Sequence, residues 1–102
     1  VSTRLRQRIQ GEFPHHPNLV TAALAELTRE VFPGEARDSV AIERIQLAAL
    51  LLAQGDLRRL DDALALGRRD WRDLLVAGGL ADEDWQERVA AELEPPPATR
   101  FW

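Results

Sequence analysis

Ile45-Gln46-Leu47-Ala48-Ala49-Leu50-Leu51-Leu52-Ala53 decides the fold. Gln46 is the sole polar residue in this run, so a helix through it is apolar on nearly every side. Such a helix is buried on every side, which here requires the rest of the chain, or a second chain, to wrap it. The stretch is far too short to span a bilayer. Extended back to Val40, after Asp38 or Ser39 as the cap, it predicts a central helix over 40–53. Glu43 and Arg44 fall in its first turns.

The flanking sequence breaks into further short helices. Gly55 ends the central helix and Asp56 caps the next, which runs from Leu57 to Leu66 with Leu57, Leu60 and Leu64 inward and a stop at Gly67. So short a connection predicts an antiparallel hairpin. Asp70 caps a helix over Trp71–Ala77 that ends at Gly78-Gly79. Asp82 caps another over Glu83–Leu93, with Trp85, Val89 and Leu93 on its buried face and Pro95 as a stop.

Towards the N-terminus, Leu19, Val20, Ala23, Leu24, Leu27 and Val31 mark one stripe of a helix from about Asn18 to Phe32, ended by Pro33-Gly34. A first helix runs from Thr3 to Gln10, capped by Ser2 or Thr3 and stopped at Gly11, with Leu5 and Ile9 on its inner face. No segment alternates as a strand does. The expectation is all-α: a bundle of five to six short helices around a buried central helix, with residues 1–94 as one domain and 95–102 as a proline-rich tail.

The run Glu43-Arg44-Ile45-Gln46-Leu47-Ala48-Ala49-Leu50, with Gly55-Asp56-Leu57 and then Asp70-Trp71-Arg72-Asp73-Leu74-Leu75, resembles small helical bacterial proteins of uncharacterised function. They share a Glu-Arg-Ile, Gly-Asp-Leu and Asp-aromatic-Arg-Asp layout. The resemblance implies a helical bacterial protein and brings no activity, cofactor or partner with it.

Composition narrows the function classes. At 102 residues the chain fits one domain, and a net charge of −4 argues against a dedicated nucleic-acid binder. All 13 basic residues are arginine, so each cation is a planar fork suited to carboxylates and phosphates. There is no Cys, Tyr or Lys, hence no disulfide framework, thiolate metal site or lysine nucleophile. No signal-peptide core follows the first residues, and a cytoplasmic location is the expectation.

The candidate chemistry is sparse. His15 and His16, near Glu12, lie between Pro14 and Pro17 in an extended loop; adjacent histidines diverge and rarely share one ion. Asp61 and Asp62 diverge on a helix in the same way. Ser2 and Ser39 occupy capping positions, and Ser39 has no evident base or oxyanion site. No phosphate-cradling glycine motif is present. The expectation is a protein without catalytic, metal or cofactor residues.

Three features point to contacts instead. Arg68-Arg69-Asp70-Trp71-Arg72-Asp73 sets three arginines around a tryptophan, types enriched in interaction hot spots. It could hold a phosphate or an acidic peptide; alternatively Asp70 caps, Trp71 packs inward and the arginines pair with nearby acids. Arg4, Arg6 and Arg8 make a diffuse positive end. The tail Pro95-Pro96-Pro97-Ala98-Thr99-Arg100-Phe101-Trp102 ends in two aromatics that would dock on their own domain or on a partner. The candidate interaction residues are therefore Arg68, Arg69, Trp71, Arg72, Phe101 and Trp102. The leading expectation is a non-catalytic protein–protein interaction module, alone or as a homodimer. The alternatives are a nucleic-acid-associated regulator and, behind it, an enzyme or ligand-binding protein with a pocket between helices.

Overall fold

The computed structural model describes residues 1–32 and 39–94. Its elements are α1 (Thr3–Glu12), α2 (Pro17–Val31), α3 (Ser39–Ala53), α4 (Leu57–Arg69), α5 (Trp71–Ala77) and α6 (Trp85–Leu93), with no strand among the described residues. The all-α expectation holds, and α3 is the central helix: each of the other five packs against it. Ile45 through Leu50 are all buried, as is Ala53, so the wrapping comes from the chain itself. Leu51 and Leu52 stay half-buried where that wrapping is incomplete.

Each covering helix contributes one apolar stripe. α1 buries Leu5 and Ile9, α4 buries Leu60 and Leu64, and α6 buries Val89 and Leu93, all at helical spacing. Phe13, at the end of α1, joins this core from what reads in sequence as loop. On α2 the stripe follows Val20, Leu24, Leu27 and Thr28, while Leu19 is 60% exposed. Leu19 stands one residue, about 100° of helix rotation, off the line of Val20.

Three boundaries differ from expectation for physical reasons. Gly11 does not stop α1. Nothing lies within reach of a Cβ there, and the helix runs through it at a propensity cost of about 1 kcal/mol until Phe13 turns into the core. Gly67 does not stop α4 either. It is buried, and an added Cβ would come within 2.9 Å of Leu74 and 3.2 Å of Leu27, so this glycine lets α4 lie close to α2 and α5. α6 begins at Trp85 with Asp84, not Asp82, at its N-cap; the carbonyl of Asp82 instead accepts from the Trp85 N–H in a preceding turn. Asp56 and Asp70 cap as expected, Asp56 accepting from the Arg58 and Arg59 N–H groups and Asp70 from the Arg72 N–H.

Small residues set how closely α5 approaches α3. A Cβ on Gly78 would meet the Cβ of Ala48 at 2.9 Å and its backbone at 3.0 Å. Gly78 therefore sits directly on Ala48, and neither partner has a flexible end that can yield. The loop beyond is tied down by arginines. Arg44 Nε donates to the Leu80 carbonyl at 2.8 Å while its guanidinium lies 4.2 Å from the Trp85 ring centre. Burial lowers the pKa of Arg44, and the ring face offsets part of that desolvation.

Three polar side chains among the described residues are buried: Thr28, Glu43 and Gln46. Gln46, 2% exposed, donates through Nε2 to the Thr28 hydroxyl at 3.3 Å, and that hydroxyl turns to the α2 backbone carbonyls of Leu24 and Ala25. Its Oε1 has no hydrogen-bond partner among the described residues.

Two substitutions probe this packing by urea unfolding. Gly78→Ala is expected to cost about 1–3 kcal/mol, because the methyl meets backbone and not a movable side-chain tip. Gln46→Leu should leave stability unchanged or raise it, since it removes an unsatisfied buried carbonyl along with one long hydrogen bond.

Candidate functional site

The C-terminal ends of α2 and α4 and the start of α5 meet around a cleft of about 350 Å³, lined by Glu30, Val31, Gly67, Arg68, Arg69, Asp70, Trp71 and Arg72. Four of the six candidate interaction residues thus come together in one place. Asp70 makes this corner. Its N–H closes α4 on the Leu66 carbonyl at 2.8 Å, and its carboxylate accepts from the Arg72 N–H at 3.0 Å to open α5. The chain changes direction within one residue, which brings Arg68 and Arg69 beside Trp71 and Arg72.

Trp71 is half-buried, its ring tilted by 53° against Phe32 at 5.9 Å, and the Arg72 guanidinium lies 5.5 Å from its ring centre. Arg68 Nε contacts Glu30 at 2.5 Å across the cleft, and Arg72 lies 3.7 Å from Asp70. Arg69 is exposed and has no ion-pair partner among the described residues. Three arginines against two carboxylates leave the cleft with one excess positive charge. Trp71 packs and Arg68 is paired, while Arg72 keeps only the long contact with Asp70 and Arg69 enters no ion pair among the described residues.

The N-terminal arginines are arranged differently. Arg4 Nε and Nη2 grip both oxygens of Glu43 at 2.9 and 2.6 Å, and the Ser2 hydroxyl donates to the same carboxylate at 2.5 Å while accepting from the Leu5 N–H. Arg8 binds Glu12, and reaches the Glu92 carbonyl at 2.6 Å and the Glu92 carboxylate at 3.0 Å. These contacts bind α1 to α3 and to the end of α6. The diffuse positive end expected from Arg4, Arg6 and Arg8 is largely neutralised, because two of its three charges are held in internal ion pairs. The one local signal for Glu43 is that it is the sole carboxylate in α3. Its hydrogen bonds from Arg4 hold its carboxyl below the usual value, against the opposing effect of burial. The Arg4 pKa is raised in turn, first by its hydrogen bond to Glu43.

The remaining candidates are scattered. His15 and His16 are exposed in the α1–α2 loop, and no three His, Cys, Asp or Glu among the described residues are placed to hold a metal ion. Asp61 and Asp62 are exposed on α4, as their spacing implies. Phe101 and Trp102 lie outside the described residues. No described helix is long and apolar enough to cross a membrane. Comparison of the chain with protein-family models, curated proteins and solved structures finds no match.

The Glu43 cluster makes stability depend on acid. In the unfolded chain Glu43 titrates near the ordinary value of about 4.3, and in the folded chain it does so lower. Its contribution is therefore complete above the unfolded value and is lost as pH falls through the folded one. Urea midpoints measured between neutral and acid pH should fall for the native chain. Glu43→Gln should be about 1–3 kcal/mol less stable at neutral pH and show a flatter acid limb.

Proposed function

We propose that this protein is a non-catalytic helical binding module whose Arg68–Arg72 cleft receives an acidic segment of a protein partner. The observation that carries the proposal is Arg69 and Arg72 flanking a half-buried Trp71 in one cleft, with Arg69 in no ion pair among the described residues. Each guanidinium offers a planar fork to a carboxylate, and charge-assisted hydrogen bonds of this kind contribute about 1.5–3 kcal/mol. Trp71 adds a rigid apolar wall at small entropic cost, held in place by Phe32. The cleft walls are mostly charged side chains, unlike the apolar lining of most small-molecule pockets.

The neutralised N-terminal arginines favour this reading over a nucleic-acid surface. Phosphate binding along a backbone draws on several free cations in a stripe, and α1 offers Arg6 without the paired Arg4 and Arg8. The overall charge of −4 opposes a polyanion more than it opposes a short acidic segment steered to one cationic cleft.

Selection of a random peptide library on the immobilised full chain tests the proposal. Binders should be rich in Asp and Glu, and the double variant Arg69→Glu, Arg72→Glu should bind them at least about tenfold more weakly, equivalent to about 1.4 kcal/mol. Binders poor in acids, or binding indifferent to the double variant, would overturn it. So would salt-dependent binding of mixed duplex at low ionic strength that the same double variant abolishes, since that would assign the cleft to phosphates.

A further inference from the structure

Two carboxylates of the chain already stand in the arginine cleft, and they are held differently. Asp70 is fixed by its capping role. Its Oδ1 accepts from the Arg72 N–H at 3.0 Å to open α5, and its own N–H closes α4. Glu30 has no such duty. Among the described residues its carboxylate makes one contact, with Arg68 Nε at 2.5 Å, and that contact joins α2 to α4 across the cleft.

The position of Glu30 also works against its own helix. It is the penultimate residue of α2, where the carbonyl end of the helix carries partial negative charge and disfavours a carboxylate. The cation of that last turn, Arg29, is paired with Glu26 at 2.7 Å and not with Glu30. By contrast α4 ends in Arg68 and Arg69, the sign of charge its own carbonyl end favours. Glu30 thus caps nothing and opposes its helix, and its one contact is to occupy Arg68. Both side chains of that pair are nearly half exposed, at 45% and 44%. An ion pair so open to water is weak, and a competing carboxylate displaces it at small cost.

We propose that Glu30 is a built-in competitor for the cleft, a carboxylate of the chain that holds Arg68 until an acidic segment displaces it. The inference rests on the reading of the cleft as the seat of such a segment. Arg69 and Arg72 meet the incoming carboxylates first, and Arg68 joins them only when Glu30 turns out to solvent. A segment must therefore outmatch Glu30 as well as bind Arg69 and Arg72. The cleft then selects closely spaced runs of Asp and Glu over isolated acids.

Titration of the full chain with a fluorescently labelled hexaglutamate peptide, read by anisotropy, tests it. The native chain should bind, and the double variant Arg69→Glu, Arg72→Glu should bind at least about tenfold more weakly. Glu30→Gln keeps the side-chain shape and raises the excess in the cleft from one positive charge to two. It should bind about three- to tenfold tighter, a gain that shrinks as salt is raised. The gain should vanish in an Arg68→Gln background, where Glu30 has no guanidinium to release. Glu26→Gln, one turn earlier on α2 and outside the cleft, removes the same charge and should bind as the native chain does. A Glu30→Gln variant that binds no tighter than the native chain overturns the proposal. So does a gain that persists without Arg68 or that Glu26→Gln reproduces, since either reduces Glu30 to its share of net charge. Those outcomes leave native binding and its dependence on Arg69 and Arg72 standing. Failure of both the native chain and Glu30→Gln to bind hexaglutamate overturns the reading of the cleft itself, and the competitor with it.

Discussion

Everything in this molecule answers to one constraint: α3 must be kept from water on all sides by helices too short to do so singly. A fully buried leucine contributes about 1.5–3 kcal/mol, and α3 buries Leu47 and Leu50 together with Ile45 and three alanines. No single amphipathic partner can cover that circumference, so all five other helices converge on it. The alanines matter as much as the leucines. Ala48 lets the end of α5 come down at Gly78, and Gly67 does the same for α4 against Leu27 and Leu74. Close approach at these two glycines is what lets the surrounding helices enclose the apolar one.

Electrostatics completes what packing begins. α1 buries only Leu5 and Ile9, too little apolar area to hold a ten-residue helix in place, and its arginines supply the rest. Arg4 and Ser2 fix it to Glu43 on α3, and Arg8 fixes it to the last turn of α6. Glu43 is buried while Arg4 keeps contact with solvent, so the pair avoids the full desolvation of both ions that makes enclosed salt bridges costly. Arg44 works similarly for the α5–α6 loop, with a carbonyl and an indole face in place of a carboxylate. An all-arginine cation set suits these roles, since each uses the planar fork and not merely the charge.

The arginines divide into those the fold consumes and those it leaves outside. Arg4, Arg8, Arg44 and Arg68 are engaged by carboxylates or carbonyls from distant parts of the chain. Arg69, Arg72 and Arg59 remain at the surface, the first two beside Trp71 and the third beside the half-covered end of α3. The two surfaces therefore differ in kind: one is cationic with an aromatic wall, the other apolar with balanced charge at its rim.

Much of the architecture is already written in local sequence. The apolar run Ile45–Ala53, the caps Asp56 and Asp70, and the stripes of α1, α4 and α6 follow from periodicity and hydrogen-bonding chemistry that act over a few residues. The cluster Arg68–Arg72 is likewise legible, because its members are neighbours in the chain. What local sequence does not contain is which side chains meet across the bundle. Gly11 and Gly67 look alike as helix stops, yet one is tolerated in solvent and the other demanded by Leu27 and Leu74. Arg4 and Arg69 look alike as surface cations, yet only the first finds a carboxylate, 39 residues away. Local sequence leaves the covering of Ile45–Ala53 undecided between its own chain and another. Tertiary structure answers for Ile45 through Leu50, which five helices enclose, and leaves Leu51 and Leu52 at the rim. Local sequence determines which surfaces must be hidden; only the packing of helices against one another determines where the covering stops.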